Sequence, residues 1–291
     1  MSFVTRFAPS PTGPLHLGHA YSAMLAHDMA RTRSGTFLLR IEDIDQSRAR
    51  PEWEAQIYDD LRWLGLAWPS QVLLQSENAR AYGRALDTLW DHGLLYQCDC
   101  NRRDIRAAAQ APQEGAPLHG PDGVIYPGTC RMKHPRIGSR PKGVALRLDL
   151  GKALGKMDTT PTYAETGEHA GSHGIDAPER TIGDIVLARR DMGTSYHLSV
   201  VVDDAAQGIT HVVRGADLAE ATGIHVILQH LLGLPTPMYH HHKLIRDATG
   251  KRLAKRDDAR AISKYRADGA SPDDIRAMVG LPSLFQKNPQ G

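Results

Sequence analysis

Apolar positions in the first hundred residues follow two spacings. The runs at 3–8 and 36–41 are short, apolar and bounded by turn residues or charges, which predicts buried strands. Between them, and again from Pro51 and from about Glu77, apolar residues recur every three or four positions, which predicts helices. Because strands and helices alternate, we predict an α/β protein with a doubly wound parallel sheet.

The pattern changes at Cys98. From there to about Arg180, Pro, Gly and polar residues dominate, with a strand signal at 144–150 and an expected exposed loop at 164–179. Parallel sheet signals then return at 185–188, so we interpret the middle region as an insertion between two halves of a parallel sheet domain. The later elements are predicted as strands at 185–188 and 211–214 and helices at 197–205, 217–232, 259–267 and 272–279.

Composition narrows the class of protein. The 291 residues are 41% hydrophobic and 23% charged, which allows two globular domains with a sizeable core. A formal net charge of +2 excludes a protein that coats nucleic acid through its overall charge, so a polyanion must be bound by local patches. Three cysteines do not form a disulfide framework, and no apolar run approaches the roughly 20 residues that span a bilayer. We therefore expect a cytoplasmic protein with no membrane partner.

A loop rich in proline and glycine leads into the first helix, where His16, Leu17, Gly18 and His19 stand. Backbone N–H groups at a helix start lack partners and carry partial positive charge, so anions bind there. The two histidines share one side of the turn, and Gly18 leaves room for a flat ring or a phosphate. A nucleotide with its phosphates over the helix start satisfies these features. Two surface histidines, or a zinc pair lacking a nearby third ligand, are the alternatives.

Two further groups of charged residues suggest anion binding. The run 251–256 places four cations in six residues after Gly250, and a lysine there neutralises phosphoryl oxygens. A solvated basic loop would look the same. Glu42, at the carboxyl end of the second strand, can accept from an ammonium group, and Arg6 and Arg214 can hold carboxylates by paired hydrogen bonds. Structural ion pairs are the alternative for these residues.

Together these segments resemble class I aminoacyl-tRNA synthetases of the glutamyl branch. The matching strings are RFAPSPTGPLHLGH at 6–19, RIEDID at 40–45, and the segments 196–204, 213–218 and 250–255, in the family's order and spacing. HLGH resembles the family's first signature, and 252–256 resembles its second. Leu17, Arg252 and Ala254 depart from the family's usual isoleucine, lysine and serine, whereas Lys255 is retained.

The resemblance implies a Rossmann-like class I catalytic fold in four segments. They are 1–97, the first half of the catalytic domain; 98–184, an inserted zinc-containing subdomain of the acceptor-binding type; 185–256, the second half with the second signature; and 257–291, a partial helical stem-contact region. Because 35 residues follow Arg256, we expect no anticodon-binding domain and a member of the short branch of the family.

The resemblance also implies a set of site residues. His16, Gly18, His19 and Lys255 are expected to bind ATP, which brings Mg²⁺, with the two histidines and Lys255 as catalytic groups. The expected L-glutamate ligands are Arg6, Ser10, Glu42, Tyr196 and Arg214. The expected ligands of a structural zinc are Cys98, Cys100, Tyr126 and Cys130. His119 and His134 lie nearby in sequence and leave the fourth ligand open, and buried or free thiols are the alternative to a metal site.

For the short branch, the resemblance implies activation of L-glutamate by ATP and glutamyl transfer to queuosine at the wobble position of tRNA(Asp). The enzyme would meet the anticodon stem-loop, with phosphate contacts from six cations. These are Arg102, Arg103, Arg131, Lys133, Arg136 and Arg140. Three alternatives stay open: a truncated glutamyl-tRNA synthetase that charges a 3′ end, a non-catalytic tRNA- or protein-binding paralogue, and a nucleotidylyltransferase.

Overall fold

The computed structural model describes residues 2–109, 119–245 and 260–283. Contacts divide the chain into two compact units, each assembled from separate segments. The first unit comprises Met1–Leu74, Ile209–Asp217 and Tyr239–Gly291, and the second comprises the ranges 75–208 and 218–238. The predicted division into four functional segments stays a prediction, because contact-based units assign no function.

The described residues contain twelve strands and ten α-helices. The strands are β1 (Val4–Phe7), β2 (Thr36–Ile41), β3 (Leu73–Leu74), β4 (Leu95–Cys98), β5 (His119–Gly120), β6 (Gly123–Val124), β7 (Ala145–Leu148), β8 (Tyr163–Glu165), β9 (Gly171–His173), β10 (Val186–Ala188), β11 (His211–Gly215) and β12 (Met238–His242). The helices are α1 (Leu17–Thr32), α2 (Pro51–Trp63), α3 (Ala79–Asp91), α4 (Arg102–Ala109), α5 (Leu150–Leu154), α6 (Pro178–Thr181), α7 (Tyr196–Ala206), α8 (Thr222–Leu231), α9 (Ile262–Ala267) and α10 (Pro272–Val279). Short 3₁₀ helices occupy Gln75–Asn78 and Ala216–Leu218. None of the helices in these ranges has the length and apolarity needed to cross a bilayer.

The first unit is built on the predicted parallel sheet. β1 pairs in parallel with β2, and β2 pairs in parallel with β3. Thr210, just before β11, exchanges hydrogen bonds with Val4 at 2.8 and 3.0 Å. Farther along, Arg6 Nη1 donates to Val213 O at 3.5 Å, so β11 advances in the same direction as β1. The carboxyl ends of β1, β2 and β11 therefore lie at one edge, where parallel sheets bind ligands.

Helix α1 covers this sheet with a face of small residues. Ala20, Ala23, Ala26 and Ala30 are at most 1% exposed, and their short side chains let the helix approach the strands closely. Aliphatic and aromatic residues of β1, β2 and α2 complete the core, together with Ile262 of α9 and Ile275 of α10. The C-terminal helices are thus part of the first unit's core.

The second unit contains an antiparallel sheet in the order β10-β7-β4. β4 pairs with β7 from Leu95 opposite Leu148 to Cys98 opposite Ala145, and β10 also runs antiparallel to β7. The prediction that parallel pairing returns at 185–188 is therefore wrong. A short apolar run signals burial, but it carries no information about the direction of the neighbouring strand.

Two other predicted segments differ from the structure. Most of the β8–β9 hairpin and the beginning of α6 fall within the expected loop at 164–179. The hairpin forms because Tyr163 pairs with His173 across the strands, and their rings stack with centroids 5.4 Å apart. The expected helix over 217–232 begins later, since a 3₁₀ turn precedes α8. The polar composition of 164–179 predicted an irregular segment and did not reveal the cross-strand contact.

Candidate active site

The first turn of α1 is organised by its own two histidines. His16 is the N-cap, and its Nδ1 accepts from the Gly18 N–H at 3.1 Å, while His19 Nδ1 accepts from the His16 N–H at 3.2 Å. Their rings stack with centroids 3.8 Å apart. Because each Nδ1 accepts a backbone proton, a neutral ring carries its own proton on Nε2. The local fold therefore fixes both the orientation and the tautomer of the pair.

Gly18 has a structural role beside the predicted one. A Cβ at this position would lie 3.0 Å from Cε1 and 3.2 Å from Nδ1 of His16. The absence of a side chain thus lets the His16 ring fold back over the helix start. Any larger residue would displace that ring, and with it the helix cap.

The edge of the parallel sheet brings Ser10 and Glu42 into neighbouring segments. The Glu42 N–H donates to Pro9 O at 3.0 Å, which ties the end of β2 to the loop that contains Ser10. The Glu42 carboxylate accepts from Nη2 of Arg40 at 3.2 Å, and Arg40 is fully buried. Glu42 is therefore held as a buried ion pair, with Arg40 as a partner that the sequence reasoning missed.

Arg6 and Arg214 are both 5% exposed and lie on the neighbouring strands β1 and β11. Arg214 Nε donates to His241 Nε2 at 3.1 Å, and its guanidinium stands 5.2 Å over the Tyr239 ring. β12 thus orients Arg214 through two side chains that the sequence reasoning did not select. The run of three consecutive histidines at 240–242 is the sequence feature that could have pointed to β12 as part of the site.

The second signature, including Lys255, lies outside the described residues. The chain re-enters the described part beside the first signature: Ala261 forms a β-bridge with His16, and the Ile262 N–H donates to Leu15 O at 2.8 Å. Six positions separate Lys255 from the residue that pairs with His16.

Tyr196 begins α7 in the second unit and packs edge-on against two histidine rings. The ring centroids of His197 and His225 lie 5.3 and 5.7 Å from that of Tyr196. His197 Nδ1 is 3.1 Å from His225 Nε2, and His197 Nε2 is 3.2 Å from the Asp122 carboxylate. The sequence reasoning missed this Asp–His–His chain, which depends on residues 75 and 103 positions from Asp122.

Three thiols form the candidate metal centre of the second unit. The Sγ atoms of Cys98, Cys100 and Cys130 lie within 4.8 Å of one another, and two of them are 3.5 Å apart. Zn–S bonds of about 2.3 Å in a tetrahedron place sulfur atoms about 3.8 Å apart. Burial raises the pKa of Cys130, but hydrogen bonds, first of all with Tyr126, outweigh it and bring that pKa to about 7. These residues can therefore hold a metal ion.

The Tyr126 hydroxyl lies in the same cluster, 3.5 Å from Cys98 Sγ and 3.4 Å from Cys100 Sγ. Arg147 donates to Cys98 Sγ at 3.3 Å and covers the Tyr126 ring, so a positive charge faces the thiols. His134 instead contacts the Asp99 carboxylate at 2.6 Å. The geometry therefore favours Tyr126 over His134 as the fourth ligand.

Most of the six cations near this cluster already bind carboxylates. Arg131 pairs with Asp184, Lys133 with Asp99, Arg136 with Asp149 and Arg140 with Asp87, at 2.6 to 2.9 Å. The side chains of Arg102 and Arg103 are exposed and make no hydrogen bond or ion pair with the residues that the structure describes. Of the predicted phosphate contacts, these two are the ones whose charge no described residue pairs.

Comparison with known proteins assigns the family. The family model for class I tRNA synthetases (E and Q), catalytic domain, matches residues 2–284. The Glutamyl-Q tRNA(Asp) synthetase of Rhodobacter capsulatus is 65% identical over 96% of this chain and 100% of the relative. The protein of the same name from Nocardia farcinica is 40% identical over 95% of this chain and 85% of the relative.

A solved structure agrees with these relatives. The glutamate tRNA ligase of Elizabethkingia meningosepticum, in complex with its amino acid, superposes with a TM-score of 0.74 at 26% identity. The match covers 96% of this chain, which spans 60% of the length of that ligase. The chain belongs to the class I tRNA synthetase family of the glutamate and glutamine branch, and its relatives narrow this to the glutamyl-Q tRNA(Asp) synthetase family. As a member of that family it is a ligase.

Proposed function

We propose that the chain activates L-glutamate with ATP and transfers the glutamyl group to queuosine at the wobble position of tRNA(Asp), in the cytoplasm. The observation that carries this proposal is the match over the whole length of the Rhodobacter capsulatus relative, at 65% identity. The geometry of the α1 start and of the sheet edge supports the first step, and the cysteine cluster supports a structural metal.

In the first step, the glutamate α-carboxylate attacks the α-phosphorus of ATP in line, and pyrophosphate leaves with Mg²⁺. Such a reaction needs positioning and charge stabilisation and no covalent nucleophile. His16 and His19 donate from Nε2 to phosphate oxygens, because their Nδ1 atoms are used by the helix start. Lys255 neutralises the β- and γ-phosphates.

Glutamate is recognised by its charges. Arg214, oriented by His241 and Tyr239, holds the side-chain carboxylate, and Arg6 on the adjacent strand supplies a second guanidinium. Glu42, fixed by Arg40, accepts from the α-ammonium. Ser10 and Tyr196 are the two other proposed glutamate ligands.

In the second step, a hydroxyl of the queuosine cyclopentenediol attacks the carbonyl carbon of the mixed anhydride. The bond to phosphate breaks, AMP leaves, and an ester forms on the base. The departing phosphate takes the hydroxyl proton. A structural zinc held by Cys98, Cys100, Cys130 and Tyr126 fixes a region with little core of its own.

The test compares tRNA(Asp) with and without queuosine as glutamate acceptor. We expect transfer to the modified tRNA and at least about 100-fold less to the unmodified one, since the attacking hydroxyl is absent there. Glutamate-dependent pyrophosphate exchange is measured in parallel to show that the enzyme is active. Equal transfer to both tRNAs would overturn the proposal and favour the charging of a 3′ end.

A further inference from the structure

Two large apolar side chains project into solvent from the loop that follows Cys130. Met132 is 93% exposed and Ile137 is 82% exposed, more than any other large apolar residue that the structure describes. Scattered exposed apolar residues are ordinary on protein surfaces. Met132 and Ile137 differ from such residues because specific contacts hold their loop, residues 131–140, on both sides of each of the two side chains.

Met132 stands between two anchored residues. Arg131 on one side binds the fully buried Asp184 carboxylate through Nε at 2.6 Å and Nη2 at 2.9 Å. Lys133 on the other side binds Asp99 at 2.9 Å. The backbone at Met132 therefore has little freedom to turn the side chain inward.

Ile137 is flanked in the same way. Arg136 donates to the Asp149 carboxylate and to Arg131 O, both at 2.7 Å, and Trp90 Nε1 donates to Gly138 O at 2.8 Å. A loop ordered before binding loses little conformational entropy when a partner arrives. The structure thus presents two preorganised apolar contacts.

The charge around the two side chains indicates the partner. Met132 and Arg102 each lie two residues beyond a cysteine, and those cysteines, Cys130 and Cys100, have Sγ atoms 3.5 Å apart. Asp99, Asp149 and Asp184 beside the loop are already bound by cations, whereas Arg102 and Arg103 pair with no described carboxylate. Unpaired cations beside exposed apolar side chains match single-stranded RNA, whose phosphates bind cations while its bases pack on flat or apolar surfaces.

We propose that Met132 and Ile137 pack against unstacked bases of a tRNA anticodon loop while Arg102 and Arg103 bind its phosphates. The identity of the RNA rests on the proposed function. The contact itself adds a recognition element that does not depend on queuosine chemistry.

The test measures the dissociation constant of the full-length protein for a fluorescent tRNA(Asp) anticodon stem-loop over a series of salt concentrations. We expect Met132→Ser with Ile137→Ser to weaken binding about 10- to 100-fold with the salt slope unchanged, since apolar contacts release no counterions. Arg102→Ala with Arg103→Ala is expected to lower the slope by about two. Met238→Ser, at a methionine 39% exposed at the start of β12, is the matched control and should bind like the wild type.

The thermal unfolding midpoint and metal content show whether each variant is folded. If the serine variant is unstable, Met132→Tyr with Ile137→Tyr decides, because it keeps a flat apolar surface and should bind within about threefold of the wild type. Wild-type affinity in a folded serine variant, or a reduced salt slope in it, overturns the inference. Failure of the proposed function would appear separately, as wild-type protein that binds the stem-loop without transferring glutamate.

Discussion

The sheet edge of the first unit and the cysteine-cluster region of the second unit position their side chains by different means. At the sheet edge, backbone groups contribute directly: N–H groups of Gly18 and His16 orient the two imidazoles, and the Glu42 N–H ties β2 to the preceding loop, while side chains hold Glu42 and Arg214. Around the cysteines, side chains hold one another through ion pairs that join residues 13 to 53 positions apart. Substitutions should therefore damage chemistry in the first region and folding in the second.

The two units also differ in how many hydrogen bonds a buried carboxylate accepts. Asp184 of the second unit accepts from the Tyr96 hydroxyl, from Arg131 and from the Leu150 N–H. Asp60 of the first unit is fully buried, and among the described residues only Gln56 offers its carboxylate a hydrogen bond, too weak to offset the burial. One carboxylate is a structural anchor, and the other opposes folding when it is charged.

The largest expected effect is on chemistry. Lys255→Ala should lower the rate of glutamate-dependent pyrophosphate exchange about 1000-fold, because the charge on the leaving pyrophosphate loses its counterion. The thermal unfolding midpoint should not change. Lys264→Ala, at an exposed lysine of α9, is the control. A wild-type exchange rate in Lys255→Ala would remove the phosphate role.

The second-largest expected effect is the loss of bound zinc. Cys98→Ser should reduce bound zinc from about one atom per chain to below about 0.1, with a lower unfolding midpoint, because three remaining ligands do not close a structural site. Mass spectrometry of the purified protein measures the zinc. Tyr126→Phe should speed zinc release to a chelator. Unchanged stoichiometry in Cys98→Ser would contradict the ligand assignment.

Removing the anchor of the 131–140 loop should cost stability. Asp184→Ala leaves Arg131 and the Tyr96 hydroxyl without their shared acceptor, so we expect the free energy of unfolding to fall by about 3 to 5 kcal/mol. Asp87→Ala breaks an exposed pair with Arg140 and should cost less than about 1 kcal/mol. Similar losses in the two variants, measured by urea unfolding, would show that the Asp184 pair has no special weight.

The smallest expected effect is a gain in folding stability, whereas the preceding substitutions cause losses. Burial, and then the nearby Asp59, raises the pKa of Asp60 to about 6 from 3.8. The folded state therefore binds this proton more tightly than the unfolded chain, so the contribution is favourable below about pH 4 and is lost as the pH rises through 6. Asp60→Asn should raise stability at pH 8 by about 1 to 2 kcal/mol and flatten its pH dependence between 4 and 6.

The control is Asp91→Asn, at an exposed carboxylate of α3. If Asp60→Asn lowers the stability of the protein at pH 8, the Asp60 carboxylate has a partner that accounts for its burial.

Patterns of a few neighbouring residues predicted the strands and helices of the first unit well. β2 has its predicted bounds, Pro51 opens α2, and α10 spans the predicted 272–279, where Ser271 caps the helix and Pro272 occupies its first turn. The strand and loop pattern also predicted His16 and His19 at the start of α1 and Glu42 at the carboxyl end of β2. Each of these features depends on a few neighbouring residues, so the sequence contains the information directly.

The second region depends on partners that are distant in sequence. The antiparallel direction of β10, the Asp122–His197–His225 chain and the Arg131–Asp184 pair all join segments whose proximity follows from the tertiary fold. Three of the predicted RNA-binding arginines bind carboxylates for this reason. The sequence around these arginines showed their positive charge but not the acids, distant in sequence, that neutralise it.

The most direct measurement locates the transferred glutamyl group. tRNA(Asp) bearing queuosine is glutamylated with isotope-labelled glutamate, digested to nucleosides at mildly acidic pH, and separated by mass spectrometry. We expect the label on the queuosine nucleoside from the anticodon. Label on the 3′-terminal adenosine would contradict it.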